Sequence, residues 1–333
     1  MSSPTESAQA PPVDEVVLSQ EAASQEPRPI YRPQRRVWLP LILFVLTMFS
    51  TFVAGATGWT TLGYILDISE YSPVRFRLAL LQHWQDGLVY MICLLLMLLA
   101  HEMGHFLATV YYRIPASFPY FLPFPVSPLG TLGAVIRMDN RDADRKQMFD
   151  IGIAGPLAGL VVAIPLLIFG IQRLDLSKPP RPSEVPAEAL FKIGMPPAAR
   201  MVMNRIEPQG YEKQTEIDIR YVNPYFMAGW VGLLVTALNM MPVSQLDGGH
   251  IIYCMFGRWA HWIARGFMVL AIAYMVYQST YWMIIMLGLI LLIGVDHPPT
   301  SNDRAPLGLV RYSLGVASLA IPVLCLSLQP ISQ

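Results

Sequence analysis

The sequence predicts an all-α polytopic membrane protein of about seven transmembrane helices, with a membrane-dipping loop or β-hairpin between the second and third spans. Three observations carry this prediction. The chain of 333 residues is 54% apolar and only 14% charged. Its apolar residues gather into windows long enough to cross, or nearly cross, the hydrocarbon core of a bilayer. One stretch between two such windows, Ile114 to Met138, is oily yet carries prolines at 115, 119, 123, 125 and 128, which forbid a continuous helix. Lys plus Arg and Asp plus Glu both number 23, so no basic surface invites nucleic acid, and no Gly-rich phosphate loop follows a strand. Cys93, Cys254 and Cys325 lie far apart without CxxC spacing and read as small apolar fillers.

Residues 1–36 are rich in Ser, Glu, Gln, Ala and Pro and hold no apolar cluster that could offset the entropy of ordering. They read as a disordered cytoplasmic tail. Trp38 to Gly55 follows this long polar leader, which has acidic members and is unlike a secretion signal, so it reads as an uncleaved anchor. With an external connector it fills residues 37–84. Arg28, Arg32, Arg35 and Arg36 stand before it and, by the positive-inside rule, hold the N-terminus in the cytoplasm. Further spans follow at about 85–111, 151–171, 225–241, 260–277, 281–295 and 309–328. They divide into a core of three spans, 85–259, and a set of C-terminal helices, 260–333.

An N-terminus inside places 112–150, 242–259 and 296–308 on the cytoplasmic side. Arg113, Arg137, Arg141, Arg145 and Lys146 in the first of these agree. The external loop 172–224 carries eight basic and seven acidic residues, and reads as a linker or a small cap, with TEIDIRYV at 215–222 alternating like a strand. The proline-broken segment fits either a re-entrant piece, tolerated at membrane depth where protein or a water-filled cavity satisfies its backbone, or an interfacial loop anchored by Phe and Tyr. Within it Thr131 to Ile136 is β-favouring and suits an edge strand.

The second span ends in AHEMGHF, Ala100 to Phe106. An ionisable side chain inside a span costs roughly 2.5 kcal/mol or more unless it is paired, and a metal ion supplies the pairing. His101 and His105 are four apart, so they share one helix face and can hold one cation, with Glu102 about 100° round the helix. This is the HExxH zinc pattern, in which the imidazoles are ligands and the carboxylate is a base.

A third ligand is sought in ALNMMPVSQLDGGHI, Ala237 to Ile251. The Asp-Gly-Gly at 247–249 also fits a helix stop with glycine at the turn. Yet the second and fourth spans run in the same direction, so HEMGH and LDGG fall at one depth. His101, His105 and Asp247 give two nitrogens and one oxygen around one Zn2+ per chain and leave the fourth tetrahedral position open, as in a catalytic site. His250 is read as an interfacial or supporting histidine in preference to a fourth ligand.

HEMGH at 101–105, GTLGA at 130–134, DIGIAGPLAG at 150–159 and NMMPVSQLDGGH at 239–250 occur in that order. On these motifs the chain resembles the site-2 protease family of intramembrane zinc metalloproteases, notably its cyanobacterial and chloroplast branch. The resemblance covers about 87–260 and makes 85–259 the catalytic core. It implies that His101, His105 and Asp247 bind zinc and that Glu102 is catalytic. It leaves no room for the PDZ module of some members.

The resulting expectation is hydrolysis of a peptide bond within or near a span of a single-span or polytopic membrane protein, in a bacterial cytoplasmic membrane with the site near its cytoplasmic side. Asn239 is the candidate donor to the developing oxyanion. Gly130, Thr131, Leu132 and Gly133 are the candidate substrate contacts, through strand addition to an unwound substrate. Gly155, Pro156 and Gly159 are expected to permit close helix packing. The alternative is a membrane zinc transporter or sensor using the same ligands. Transport needs no general base and would string ionisable residues through several spans, whereas the predicted spans hold almost none besides Asp86, Glu102 and Asp247.

Overall fold

The computed structural model describes residues 37–66, 72–138, 142–181, 190–243, 245–278, 288 and 294–332. The 1–36 tail and nearly all of the span expected at 281–295 lie outside the described residues. The chain is mostly helical and, among those residues, four helices are long and apolar enough to cross a membrane. They are α1 (Trp38–Ala56), α4 (Trp84–Tyr112), α5 (Arg145–Gln172) and α9 (Trp259–Gln278), with the short helices α2 (Thr61–Leu66) and α3 (Ser72–Gln82) between the first two.

The span expected at 225–241 is a shorter apolar helix, α7 (Pro224–Asn239). At 16 residues it is about 24 Å long and stops inside the bundle. The span expected at 309–328 is likewise short and breaks into α10 (Leu309–Ser318) and α11 (Ala320–Cys325). It nonetheless runs from one end of the bundle to the other. At one end Arg311 donates two bonds of 2.8 Å to Asp150, which also accepts from the Tyr112 hydroxyl. Beyond the other end the chain reaches the sheet that follows α5.

Close approach holds the central helices together. Gly87 on α4 faces Phe52 and Ala56 on α1, and Gly232 on α7 faces Ala163 and Met97; a Cβ at either glycine would overlap those neighbours. Where α5 ends, one asparagine joins two helix termini. The Asn223 side chain accepts from the Phe226 amide (3.0 Å), capping α7, and donates to the Gly170 carbonyl near the end of α5 (2.9 Å). The start of α5 is set by a capping box, in which Asp144 accepts from the Lys146 and Gln147 amides while Gln147 accepts from the Asp144 amide.

The proline-broken segment is not helical. It forms an antiparallel hairpin of β1 (Tyr120–Pro123) and β2 (Thr131–Val135), with Tyr120 opposite Val135 and an irregularity between Phe121 and Pro123. Its tip lies deep. Tyr90 donates to the Leu129 carbonyl (3.0 Å), although Tyr90 stands 22 positions, or about 33 Å of rise, before the end of α4 at Tyr112. Ser50, well inside α1, donates to the Gly130 carbonyl (2.5 Å), and Gly130 (φ +76°) touches that helix so closely that a Cβ would overlap it. Phe121 packs edge-on against Phe44 of α1. The segment therefore returns alongside the spans, which favours the re-entrant expectation over the interfacial one.

The linker reading of 172–224 does not hold for its described residues. β3 (Lys192–Gly194) pairs antiparallel with β4 (Glu216–Asp218) on one side and with the C-terminal β5 (Ile331–Ser332) on the other, and α6 (Pro197–Ile206) packs beside them. The TEIDIRYV stretch is strand only over β4 and then turns into a 3₁₀ helix at Ile219–Tyr221. Alternation had marked a strand; a side-chain cap by Asp218 on the Arg220 amide ends it. Ile193 and Met203 are fully buried, and Trp230 of α7 donates to the Gly194 carbonyl (2.9 Å), so this cap shares the main core.

Gly194 lies against the Gln329 backbone with no space for a Cβ. Gly194→Val is expected to detach the C-terminal strand and lower stability by about 1–3 kcal/mol. Thermal unfolding in detergent, together with faster proteolysis of the Ile331–Ser332 strand, checks this outcome.

Candidate metal centre

α4 is apolar along most of its length because it lies among helices, and the polar face at His101 and His105 is met by α5. The facing positions on α5 are glycines: Gly155 under the His105 ring and Gly159 under the His101 ring. Gly104 of α4 meets the Ala154 carbonyl in the same way. Small residues on both helices let the backbones close, and the two imidazoles occupy the space that side chains would otherwise fill. The packing role expected for Gly155 and Gly159 is therefore seen in the contacts.

His105 Nδ1 lies 2.7 Å from the Ile151 carbonyl. A carbonyl only accepts, so Nδ1 carries the proton and Nε2 presents its lone pair to the site. His105 Nε2 is 3.3 Å from His101 Nε2. Asp247 completes the cluster, with Oδ2 3.3 Å from His101 Nε2 and Oδ1 3.2 Å from His105 Nε2. Among the described residues these three form the one group of His, Cys, Asp or Glu able to hold a metal ion, their ligand atoms all within 4.8 Å of one another.

Asp247 arrives by a route the sequence did not suggest. α7 ends at Asn239, residues 240–243 and 245–246 are turns and bends, and a new helix, α8 (Asp247–Phe256), begins at Asp247. The helix-stop reading of Asp-Gly-Gly is corrected accordingly: Gly248 and Gly249 lie inside α8, and Gly248 passes so close to the Met240 carbonyl that a Cβ would overlap it. The first-turn position favours a carboxylate, since the helix dipole is positive there. Arg145 holds the other end of α8 by donating to the carbonyls of Cys254 (2.5 Å) and Met255 (3.2 Å).

The remaining sequence candidates divide into two groups. Glu102 is 3% exposed and lines the same cavity as the three ligands, and Asn239 Nδ2 lies 3.1 Å from His101 Nε2. Gly130 and Thr131 instead serve the hairpin: Gly130 contacts α1, and Thr131 donates to the Leu122 carbonyl (2.8 Å). Leu132 is exposed, and Gly133 holds a positive φ of 104° in open space. The parts of this segment that line the cavity are Ala134 to Ile136 and Met138. Gln245, Leu246 and His250 also line it, and His250 falls outside the converging group. Neither the Ile151 carbonyl nor Gln245 carries a sequence signal, since backbone atoms and lone amides have none.

The donor set fits a zinc ion. Two imidazole nitrogens and a carboxylate converge, and buried Asp247 Oδ2 has no hydrogen-bond donor of its own, so its charge asks for a cation.

A family model described as peptidase family M50 matches residues 89–287. The chain belongs to peptidase family M50. Its M50 region contains all three candidate ligands, Glu102 and Asn239, and the assignment agrees with the resemblance to the site-2 proteases. A protein of Oryza sativa subsp. japonica named probable zinc metalloprotease EGY1, chloroplastic, is 33% identical over 233 residues, covering 66% of this M50 chain and 38% of the relative. The Arabidopsis thaliana protein of the same name is 31% identical over 233 residues, 66% of the chain and 40% of the relative. The probable zinc metalloprotease EGY2, chloroplastic, of Arabidopsis thaliana is 30% identical over 181 residues, 52% of the chain and 30% of the relative. The matches thus span well under two thirds of these relatives. No solved structure matches this chain.

Two substitutions test the centre by zinc content of the purified protein. Asp247→Ala is expected to lower occupancy, with unchanged metal removing Asp247 from the ligand set. Gly155→Ala is expected to displace the His105 ring and weaken zinc about 10- to 100-fold in a chelator competition.

Proposed function

We propose that the chain is an intramembrane zinc endopeptidase that cuts a peptide bond within or near a transmembrane segment of membrane-protein substrates. The observation that carries this reading is the meeting of His101, His105, Asp247, Glu102 and Asn239 at one cavity that is also lined by β2, whose second edge meets no strand among the described residues. A metal-transit site has no use for a buried carboxylate that is not a ligand, whereas hydrolysis needs a base at that place.

A bound zinc supplies Lewis acidity, which polarises a carbonyl and acidifies water. Glu102 takes the proton of the attacking water and delivers it to the leaving amine. Its burial keeps bulk water away from this exchange. Asn239, its amide already turned toward the centre, donates to the carbonyl oxygen as that oxygen gains charge. His105 stays in the productive tautomer because the Ile151 carbonyl holds its Nδ1 proton.

A helical substrate hides its carbonyls in its own hydrogen bonds, so it is cut only after local unwinding. β2 has β1 on one edge and no strand on the other among the described residues, and Ala134 to Ile136 line the cavity. An unwound segment adds to that free edge, which presents its backbone to the metal. His101 and His105 stand 11 and 7 positions before the end of α4, about 10–16 Å inside the helix end. The basic residues Arg113, Arg137, Arg145 and Lys146 follow that end in sequence, which supports a site reached from the cytoplasmic side of the membrane.

The deciding experiment uses the zinc-loaded protein in vesicles with a panel of single-span substrates. Glu102→Gln is expected to keep one zinc per chain and to lower cleavage by about 10²- to 10⁴-fold. Zinc crossing the vesicle wall while the wild type cuts nothing would establish the transporter reading instead.

A further inference from the structure

Three polar side chains of the cavity, Thr109, Gln245 and His250, are employed by neither metal binding nor the hydrolytic steps above, and of these only His250 is an imidazole. His250 lies one helical turn after Asp247 on α8, lines the cavity and stays outside the ligand cluster. Its Nδ1 is 2.6 Å from His297 Nε2. His297 Nδ1 is in turn 2.5 Å from the Pro298 carbonyl oxygen.

The direction of this chain of bonds is fixed from its far end. A carbonyl oxygen has no proton to give, so His297 Nδ1 must donate to it. Burial pushes the His297 imidazole down to about 4, so the ring is neutral and its Nε2 is an acceptor. His250 Nδ1 therefore donates to His297 Nε2. In neutral His250 the remaining nitrogen, Nε2, is then a bare lone pair, and no protein donor among the described residues meets it.

His297 is held firmly enough to impose this order. Its ring stacks on Tyr253 at 4.4 Å and 18°, and its carbonyl lies 3.1 Å from His261 Nε2. Tyr253 is anchored by its hydroxyl, which donates to Asp303 at 2.9 Å, and Asp303 also accepts from the Thr300 hydroxyl at 2.6 Å. The segment around His297 and Asp303 thus braces one residue of the catalytic cavity from outside the motif region.

A lone acceptor there has a defined use. A peptide strand paired through one edge with β2 leaves the backbone N–H groups of its other edge buried and in need of acceptors. We propose that His250 is a substrate-contacting residue whose Nε2 accepts a hydrogen bond from a backbone N–H of the unwound substrate, and that His297 is the positioning residue that sets its tautomer. This rests on the endopeptidase reading of the same cavity.

The test uses the full zinc-loaded chain in vesicles, a single-span substrate that the wild type cuts, and four variants. His250→Phe removes the acceptor and keeps the ring; His297→Leu removes the brace. Each is expected to retain zinc and to lower kcat/KM about tenfold, the worth of one hydrogen bond. The double variant is expected to fall no further than either single one, because the two act through one bond. His297→Gln, whose amide can both accept from His250 and donate to Pro298, is expected to stay within about threefold of wild type. ¹⁵N spectra of histidine-labelled wild type are expected to show His250 protonated at Nδ1, a readout that needs no turnover.

Full activity in both single variants, losses that multiply in the double, loss of zinc, or a His250 protonated at Nε2 would each overturn the proposal. A wild type that cuts nothing overturns the endopeptidase reading and this one with it; a wild type that cuts as well as His250→Phe overturns this one alone.

Discussion

The centre depends on how closely α4 and α5 approach each other. Two imidazoles and a carboxylate in an apolar bundle are tolerable only where their polar atoms find partners, and the partners sit on the neighbouring helix. Gly155 and Gly159 remove the side chains that would hold α5 away, which brings the Ile151 carbonyl within 2.7 Å of His105 Nδ1. The same contact therefore admits the rings, fixes a tautomer and turns a lone pair toward the metal position. A bulkier α5 would lose all three together.

The second constraint is the break between α7 and α8. A continuous span would carry Asp247 past the depth of the histidines, since seven residues separate it from the last residue of α7. By stopping at Asn239, the chain leaves one amide beside His101 and starts a new helix whose first residue is the third candidate ligand. Met240 packs against Gly248 at this turn, and Arg145 secures the far end of the short helix. Two functional side chains thus come from the two sides of a single interruption. The hairpin between α4 and α5 fills the remaining side of the cavity, with β1 toward α1 and β2 offering an edge that no other strand occupies among the described residues.

Much of this was legible in the residues themselves. HEMGH offers two candidate ligands because helix geometry alone puts positions four apart on one face, and it sets a candidate base beside them. The prolines of 114–138 exclude a helix locally, and the glycine spacing in α5 announces close packing. What was not legible concerns how separated pieces meet. The end of the apolar run 225–241 is marked by Pro242, but propensity and hydropathy do not show that a new helix starts at Asp247, with Gly248 against the Met240 carbonyl across the break. The sequence left linker and cap open for 172–224 because the cap's strands are three residues long or shorter and one partner strand lies more than 100 positions away at Ile331–Ser332.

The sequence by itself determined the chemistry available: two imidazoles at helical spacing, a base beside them, a distant aspartate and amide, and an oily setting that makes unpaired charge costly. Tertiary structure decided which atoms face one another. It put Ala134 to Ile136, more than Gly130 to Gly133, at the cavity, and joined His250 to His297 across 47 positions. The physical reason is that ligand type follows from side-chain chemistry, which is local, whereas orientation and tautomer follow from carbonyls and close backbone contacts supplied by other elements, which leave no signature in the residue that they constrain.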